Sequence, residues 1–499
     1  MSRLSSTHAR LQLWALALFA LTLSLNLRHR DFAWYYHPDE SGKVEQVLTG
    51  EWDFHHPMLL LTTTKLAVET LRVPREAQAI VETGRAVSAV FTALAVVAFS
   101  MLAFMWRGWL AAIAAGGTLM LHHQLFELSH YMKEDAALLL GLALAWLAAF
   151  AFERRPTLML AAALGGACGL AVSGKYIGVI ALLAAGPALW RARVPGRCWR
   201  VLAFAAALAL VLVAVNWPLI SQLDTFRASL ARETSFVVSG QKGTTNRVPH
   251  ALYWNVFIDN TTPAIWLLLI FFLLARWRER RTLTPVQWHL IAFPFAYAVA
   301  LSLSPKSNDR YFLPATAAFT LLAALGTVDV SRTLPYRFVG WLAAAVFILG
   351  QSGSWMRYNA AFQRDDSREL IEWCRTELPR DAVMAKDSRV WLPDPKKPDT
   401  VPLNAIPQKV LAAKFVADLG TLDELRARGV THLAVSESDY GRFFLKSVRP
   451  QPGQDDDYNR RKAFYEALLR DGDLRFERER GTVIYLHPGI RVYQISGSG

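Results

Sequence analysis

Cysteine and charge are both scarce in this sequence, and each shortage excludes something. Three cysteines in 499 residues cannot build a disulfide framework. Cys168 falls inside an apolar run, Cys198 in a basic loop and Cys374 in the C-terminal segment. The topology read below places only Cys374 on the outer side, so no disulfide is expected. Charged residues make up only 19% of the chain against 53% hydrophobic, and the apolar residues fall into long uncharged blocks separated by short polar loops. That pattern argues against a string of soluble domains and for a membrane protein. There is no internal repeat and no low-complexity segment. A small-residue cleavage site is missing after the first apolar run, Leu11–Leu27, which is followed by Leu27-Arg28-His29-Arg30. The run reads as a retained helix, not a signal peptide. Acidic residues are also in deficit, leaving a net charge of +13. In a soluble protein that excess would raise nucleic acid as a partner. Here the arginines sit between hydrophobic spans, so membrane topology accounts for them and no nucleic acid is expected.

The sequence predicts about eleven spans, over 11–27, 86–106, 109–126, 136–152, 157–172, 177–190, 201–219, 262–275, 288–303, 312–328 and 338–353. With the N-terminus in the cytoplasm, the inward loops become Arg107, Glu153-Arg154-Arg155, Arg191 to Arg200, Arg276 to Arg281 and Arg332 to Arg337. Two of these carry four arginines each, whereas the outward loops around 127–135, 173–176 and 304–311 hold one, one and two basic residues. The asymmetry follows the positive-inside rule and sets the expected orientation. Two outward loops are long, 28–85 and 220–261. The expected fold is a mostly α polytopic bundle over 1–355, followed by a small extracytoplasmic α/β domain over 356–499. In that domain Asp366–Leu378, Leu422–Arg428 and Asp457–Leu469 read as helices, and Ala382–Ala385, His432–Val435 and Val483–Leu486 as strands.

Five polar clusters fall on the expected outer face, while the inner loops hold mainly basic residues and turn formers. His37-Pro38-Asp39-Glu40 follows the first span. Adjacent acids point in different directions, so one could act on a substrate while the other is anchored; a solvated loop is the plainer alternative. His55-His56-Pro57 could hydrogen-bond a phosphate or sugar or ligate a metal, although adjacent histidines space poorly for a metal and Pro57 could simply fix a turn. His130-Tyr131-Met132-Lys133-Glu134-Asp135 places two acids where the chain re-enters lipid, which suits a wet cavity or an internal pair with Lys133. Ser173-Gly174-Lys175-Tyr176 lacks the full phosphate-loop pattern, and Lys175 could snorkel to the surface. Lys306-Ser307-Asn308-Asp309-Arg310-Tyr311-Phe312-Leu313-Pro314 sets a lysine and an arginine four residues apart at the boundary, suited to an anionic headgroup or to interface anchoring. Together they describe a site at the lipid–water boundary for a substrate with a lipid tail, an anionic linker and a polar head.

The order of these motifs is similar to that of the GT-C glycosyltransferases. It most resembles the bacterial protein O-mannosyltransferase-like and aminoarabinose-transferase-like branch, over residues 10–355. Asp39-Glu40 and Lys306 to Pro314 carry the likeness, with Gly174-Lys175-Tyr176 in support. The resemblance implies a polyprenyl-phosphate-linked sugar as donor, inversion at the anomeric carbon, and a glycan, lipid or protein acceptor met at the extracytoplasmic face of a bacterial inner membrane. It implies that Asp39, beside Glu40, is the catalytic base. It further implies that Lys306 and Arg310, with Tyr311, handle the donor phosphate and that Glu134 and Asp135 form the second acidic motif. Lys175, His55 and His56 complete the expected substrate-binding set. Family members often carry Pro-Pro-Leu where this chain has His56-Pro57-Met58, so acceptor details do not carry over. No cofactor is named, and a divalent metal is left open. The competing reading is a secondary transporter or a flippase of lipid-linked sugars. A transporter would place its ionisable groups near the bilayer midplane in paired halves.

Overall fold

The structure, a computed structural model, describes residues 2–191, 196–239, 246–247, 258, 261–303, 309–334, 336, 338–393, 405–446, 448–450 and 453–495. The chain forms two compact units. The first comprises 1–31, 39–239 and 249–356, and the second comprises 32–38, 240–248 and 357–499.

The first unit is helical. Its helices are α1 (Ser2–Asn26), α2 (Pro38–Thr49), α3 (Leu59–Thr70), α4 (Ala77–Arg107), α5 (Trp109–Met120), α6 (His123–Ser129), α7 (Glu134–Arg154) and α8 (Leu158–Gly174). They continue with α9 (Leu182–Arg191), α10 (Arg197–Val215), α11 (Trp217–Ser221), α12 (Leu223–Ser239), α13 (Pro263–Arg278), α14 (Pro285–Ser302), α15 (Leu313–Thr333) and α16 (Phe338–Ala361). All eleven apolar runs read from the sequence are mainly helical. Six helical segments among the described residues are by themselves long and apolar enough to cross a membrane, those containing α1, α4, α7, α10, α15 and α16. Two expected spans are broken: α10 stops at Val215 before α11 starts at Trp217, and the helix starting at Trp109 stops at Met120 before α6 starts afresh at His123. The latter break falls on Leu121-His122, where the His122 side chain accepts from the Gln124 N–H at 3.3 Å and caps the new helix.

Burial divides these helices. α15 is buried from Leu313 to Val330 and forms the bundle centre. In contrast, α1 exposes Leu13, Leu16 and Leu21, α10 exposes Leu202 and Leu210, and α16 exposes Leu342, Val346 and Leu349. So large an apolar surface is untenable in water and suits hydrocarbon, and the chain is an integral membrane protein. Between helices, small residues permit close approach. Gly165 of α8 lies against the Phe204 backbone of α10, and Gly326 of α15 against the Leu268 carbonyl of α13. At one end of the bundle, Arg276 of α13 donates to Asp329 of α15 at 2.7 Å and pairs with Glu279, which also takes Arg107 of α4 at 3.2 Å.

The second unit contains α17 (Asp366–Thr376), α18 (Leu422–Ala427), α19 (Glu437–Tyr440) and α20 (Asp455–Asp471). Its strands are β1 (Asn246–Arg247), β2 (Val383–Lys386), β3 (Lys409–Ala412), β4 (His432–Ser436), β5 (Val448–Arg449), β6 (Asp473–Arg480) and β7 (Pro488–Gln494). The main sheet runs β3-β2-β4-β7-β6, with β2 parallel to β3 and β4 and the remaining pairs antiparallel. β4 is buried along its whole length. Side-chain alternation sends Leu433 and Val435 to the face covered by α18 and α20, and Ala434 to the face covered by α17. Phe32–Pro38 belong to this unit: Phe32 packs on Phe362 at 5.9 Å, and the Tyr36 hydroxyl donates to Asp365 at 2.9–3.0 Å. Burial raises the Tyr36 phenol well above its ordinary value, and the Asp365 carboxylate adds to the shift. Val483–Leu486, expected as a strand, is instead a turn between β6 and β7, with Val483 and Leu486 as buried plugs. The true strand, β6, reads Asp-Leu-Arg-Phe-Glu-Arg-Glu-Arg; its charges blunt an exposed sheet edge.

Candidate functional site

Pro38, Asp39 and Glu40 form the first turn of α2, where proline fits the helix start and acids meet the positive end of the helix dipole. Successive helical residues point about 100° apart, and the two acids accordingly part. Glu40 is wholly buried. Its Oε1 accepts from Arg85 Nε at 3.0 Å and from the Met132 N–H at 2.7 Å, and its Oε2 accepts from Arg85 Nη2 at 2.6 Å. Arg85, on α4 and equally buried, also donates to the Arg30 carbonyl at 2.7 Å. Asp39, in contrast, has 37% of its side chain exposed, and Lys133 and Arg310 (3.3 Å) both pair with its Oδ2.

The second acidic motif opens α7. Glu134 pairs with Lys43 of α2 at 2.7 Å, and Asp135 pairs with Lys175 at 2.6 Å. Both carboxylates are almost entirely buried, and Arg310 Nε approaches Asp135 at 4.0 Å. Lys133 sits directly before this helix, held by its backbone N–H on Ser88 Oγ at 3.3 Å.

Each residue of Ser173-Gly174-Lys175-Tyr176 has a definite task. Ser173 accepts from Asn216 of the α10–α11 junction at 2.7 Å, and that same asparagine accepts the Met58 N–H at 3.1 Å. Gly174 lies so close to α7 that a Cβ would stand 2.7 Å from the Ala137 carbonyl carbon. That approach brings Lys175 onto Asp135. The Tyr176 hydroxyl donates to the Phe54 carbonyl at 2.9 Å, anchoring the His55-His56 turn. His56 stands 3.8 Å from Glu134, whereas His55 pairs with Glu233 of α12 at 2.9 Å. Burial and then the Lys43 charge hold the His56 imidazole well below its ordinary pKa, so it is neutral. Tyr311 lies under two cations, with Lys175 4.9 Å and Arg310 5.5 Å from its ring. The turn before α15 is secured by Gln124, which donates to the Asp309 carbonyl at 3.1 Å.

Of the expected site residues, Asp39, Glu40, Glu134, Asp135, Lys175, Arg310, Tyr311 and His56 thus gather at the starts of α2 and α7, the end of α8 and the turn before α15. His55 leans outward to Glu233, and Lys306 lies outside the described residues. Lys43, Arg85 and Lys133 complete the network; the sequence presents Lys133 only as an internal partner within its own cluster, and Lys43 and Arg85 had no motif to announce them. Lys43 carried one faint signal, standing four residues after Asp39 and so on the same helix face. With these, five cations face four carboxylates. Among the described residues no group of three or more His, Cys, Asp or Glu side chains is placed to hold a metal ion.

No family model and no curated protein matches the chain. Solved structures do. ArnT from Cupriavidus metallidurans bound to undecaprenyl phosphate aligns over 99% of both chains at 14% identity, with a TM-score of 0.52. The Archaeoglobus fulgidus oligosaccharyltransferase in its apo form covers 86% of this chain and 70% of its own at 12% identity, with a TM-score of 0.51. The archaeal oligosaccharyltransferase AglB from Archaeoglobus fulgidus, in complex with an inhibitory peptide and a dolichol-phosphate, covers 87% of this chain and 70% of its own at 10% identity, again at 0.51. These are GT-C enzymes, and at such identities the likeness speaks to architecture. The chain has the GT-C glycosyltransferase fold.

Proposed function

We propose that this protein is a membrane glycosyltransferase that moves a sugar from a polyprenyl-phosphate donor to a nucleophilic acceptor, with inversion and with Asp39 as general base. The observation that carries the reading is the contrast at the start of α2. One carboxylate, Glu40, is sealed against Arg85, while the next-door Asp39 remains partly exposed among cations. The ligands of the fold neighbours, undecaprenyl phosphate in ArnT and a dolichol-phosphate in AglB, support a lipid-phosphate donor.

The chemistry follows from the charges. The donor is a phosphodiester with one negative charge. An acceptor hydroxyl or amine attacks the anomeric carbon from the face opposite the phosphate. The new bond forms, the bond from that carbon to the phosphate oxygen breaks with its electron pair, and the acceptor proton passes to Asp39. The departing lipid phosphate gains a second negative charge and needs no strong acid. The positive excess of the network, presented by Arg310 and Lys175, stabilises that developing charge. Arg310 leaves Asp39 for the arriving phosphate, so donor binding unmasks the base. Lys43 with Glu134, and Arg85 with Glu40, hold the frame. The arginine-rich loops at the other end of the bundle support a cytoplasmic N-terminus and an extracytoplasmic site and tail. Ionisable groups at helix ends favour this reading over a transporter.

The donor half is tested at Arg310. With a polyprenyl-phosphate sugar, Arg310→Ala is expected to lose ~1.5–3 kcal/mol of donor interaction, the worth of a charge-assisted contact. Arg310→Lys is expected to lose less, because it keeps the charge and gives up only the fork. Donor kinetics in Arg310→Ala equal to wild type would remove the phosphate role.

A further inference from the structure

A cavity of about 500 Å³ opens between α2, α3 and the start of α4, and no residue of the Asp39 network lines it. Its floor is apolar, formed by Val47, Val68 and Ile80. Its walls carry Lys65, Arg72 and Arg75 against one acid, Glu69. Among the described residues none of these four makes an ion pair; Lys65 only rests over the Trp52 ring at 5.5 Å. Three cations around one concave space, uncompensated by two charges, form an electrostatic trap for an anion.

The backbone gives an independent pointer. After α3 ends, the Val73 N–H reaches back to the Val68 carbonyl at 3.0 Å, closing the helix with Arg72 in the left-handed conformation at φ +54°. Glycine ordinarily fills that place, as Gly50 does at the end of α2, at φ +77° on the rim of the same cavity. A side chain held there carries strain that glycine would not, and backbone strain retained at a residue lining a cavity is a feature of functional sites. Leu66 and Leu71, 62% and 71% exposed, flank the cations. That mix of apolar surface and positive charge suits an amphiphile's anionic head.

We propose that this cavity is a binding site for a phosphate-type anion, gripped by Arg72 and Arg75 with Lys65 as a third charge. The site stands independently of sugar transfer. Its ligand is either the headgroup of an anionic phospholipid or free phosphate. The test uses the full-length protein, titrated with inorganic phosphate in neutral detergent and analysed by native mass spectrometry for phosphatidylglycerol retained from mixed phosphatidylglycerol–phosphatidylcholine nanodiscs. Wild type is expected to bind one of the two probes. Arg72→Gly and Arg75→Gln are each expected to weaken that binding on the order of tenfold or more. Arg72→Gly also relieves the backbone, so its ligand-free Tm is expected to hold or rise, the opposite of what loss of a merely structural arginine would do. Binding of phosphate alone identifies a soluble anion, and retention of phosphatidylglycerol without phosphate binding identifies a lipid headgroup. Neither probe bound by wild type, or equal binding in wild type and both variants, would overturn the proposal.

Discussion

At the residue scale, Glu40 and Arg85 are a buried pair to which the proposed mechanism gives a framework role. Both are fully enclosed, so removing one charge strands the other in a low-dielectric interior. Glu40→Gln is expected to destabilise the protein by ~3–5 kcal/mol, the range for breaking a buried ion pair. Pairing it with Arg85→Met, which replaces the stranded charge by an apolar chain, is expected to recover part of that loss. Thermal or denaturant unfolding in detergent measures both. An unchanged stability with abolished transfer would instead place Glu40 in the chemistry. The acids of this site were legible in the sequence because carboxylates at the borders of apolar runs have few plain explanations. Of their partners, Lys175 and Arg310 were legible as site residues, but the roles of Arg85 and Lys133 were not. Arg85 looks like any basic residue at the edge of a span, and Lys133 reads as the partner of its own neighbours, Glu134 and Asp135. Only the fold shows that Lys133 reaches across to Asp39, 94 residues away.

Among the elements, the end of α8 is the most constrained. Gly174 touches the backbone of α7 at Ala137 and Leu138, and the contact sets the reach of Lys175 to Asp135. Gly174→Ala is expected to force the helices apart at a cost of ~1–3 kcal/mol, the range for overpacking. A lower Tm and weaker donor binding should appear together. Gly186→Ala on α9 is the control, because a Cβ there meets nothing within 4 Å. Normal donor binding by Gly174→Ala would show that this helix contact does not position the cation. Hydropathy located the helices well because lipid makes long apolar runs obligatory, but it could not see the stop at Met120. Local capping by His122 decides that stop, and neighbouring apolar residues mask it. The tail's β6 was missed for the converse reason: an edge strand needs few apolar residues, and the nearby run Val483–Leu486 drew the strand assignment.

At the scale of the whole molecule, the arginine asymmetry and the polar network fall on different sets of loops. Reporters fused after Arg155, Arg197 and Arg280 are expected to read cytoplasmic, and one fused after Asp387 extracytoplasmic. A cytoplasmic signal at Asp387 would reverse the orientation on which the site's sidedness rests. The bundle and the following α/β unit could be read from composition alone, because charge density changes sharply near residue 356. The sharing of Phe32–Pro38 with the tail could not, since nothing in those residues marks a change of unit.

The central claim is that a single carboxylate removes the acceptor's proton, and Asp39→Asn tests it most directly. The amide keeps the shape of the side chain and cannot act as a base. In a verified transfer assay with a polyprenyl-phosphate sugar, the variant is expected to fold, to bind donor, and to turn over ~10²–10⁴-fold more slowly, the usual worth of general-base catalysis. Transfer at the wild-type rate by Asp39→Asn would contradict the account.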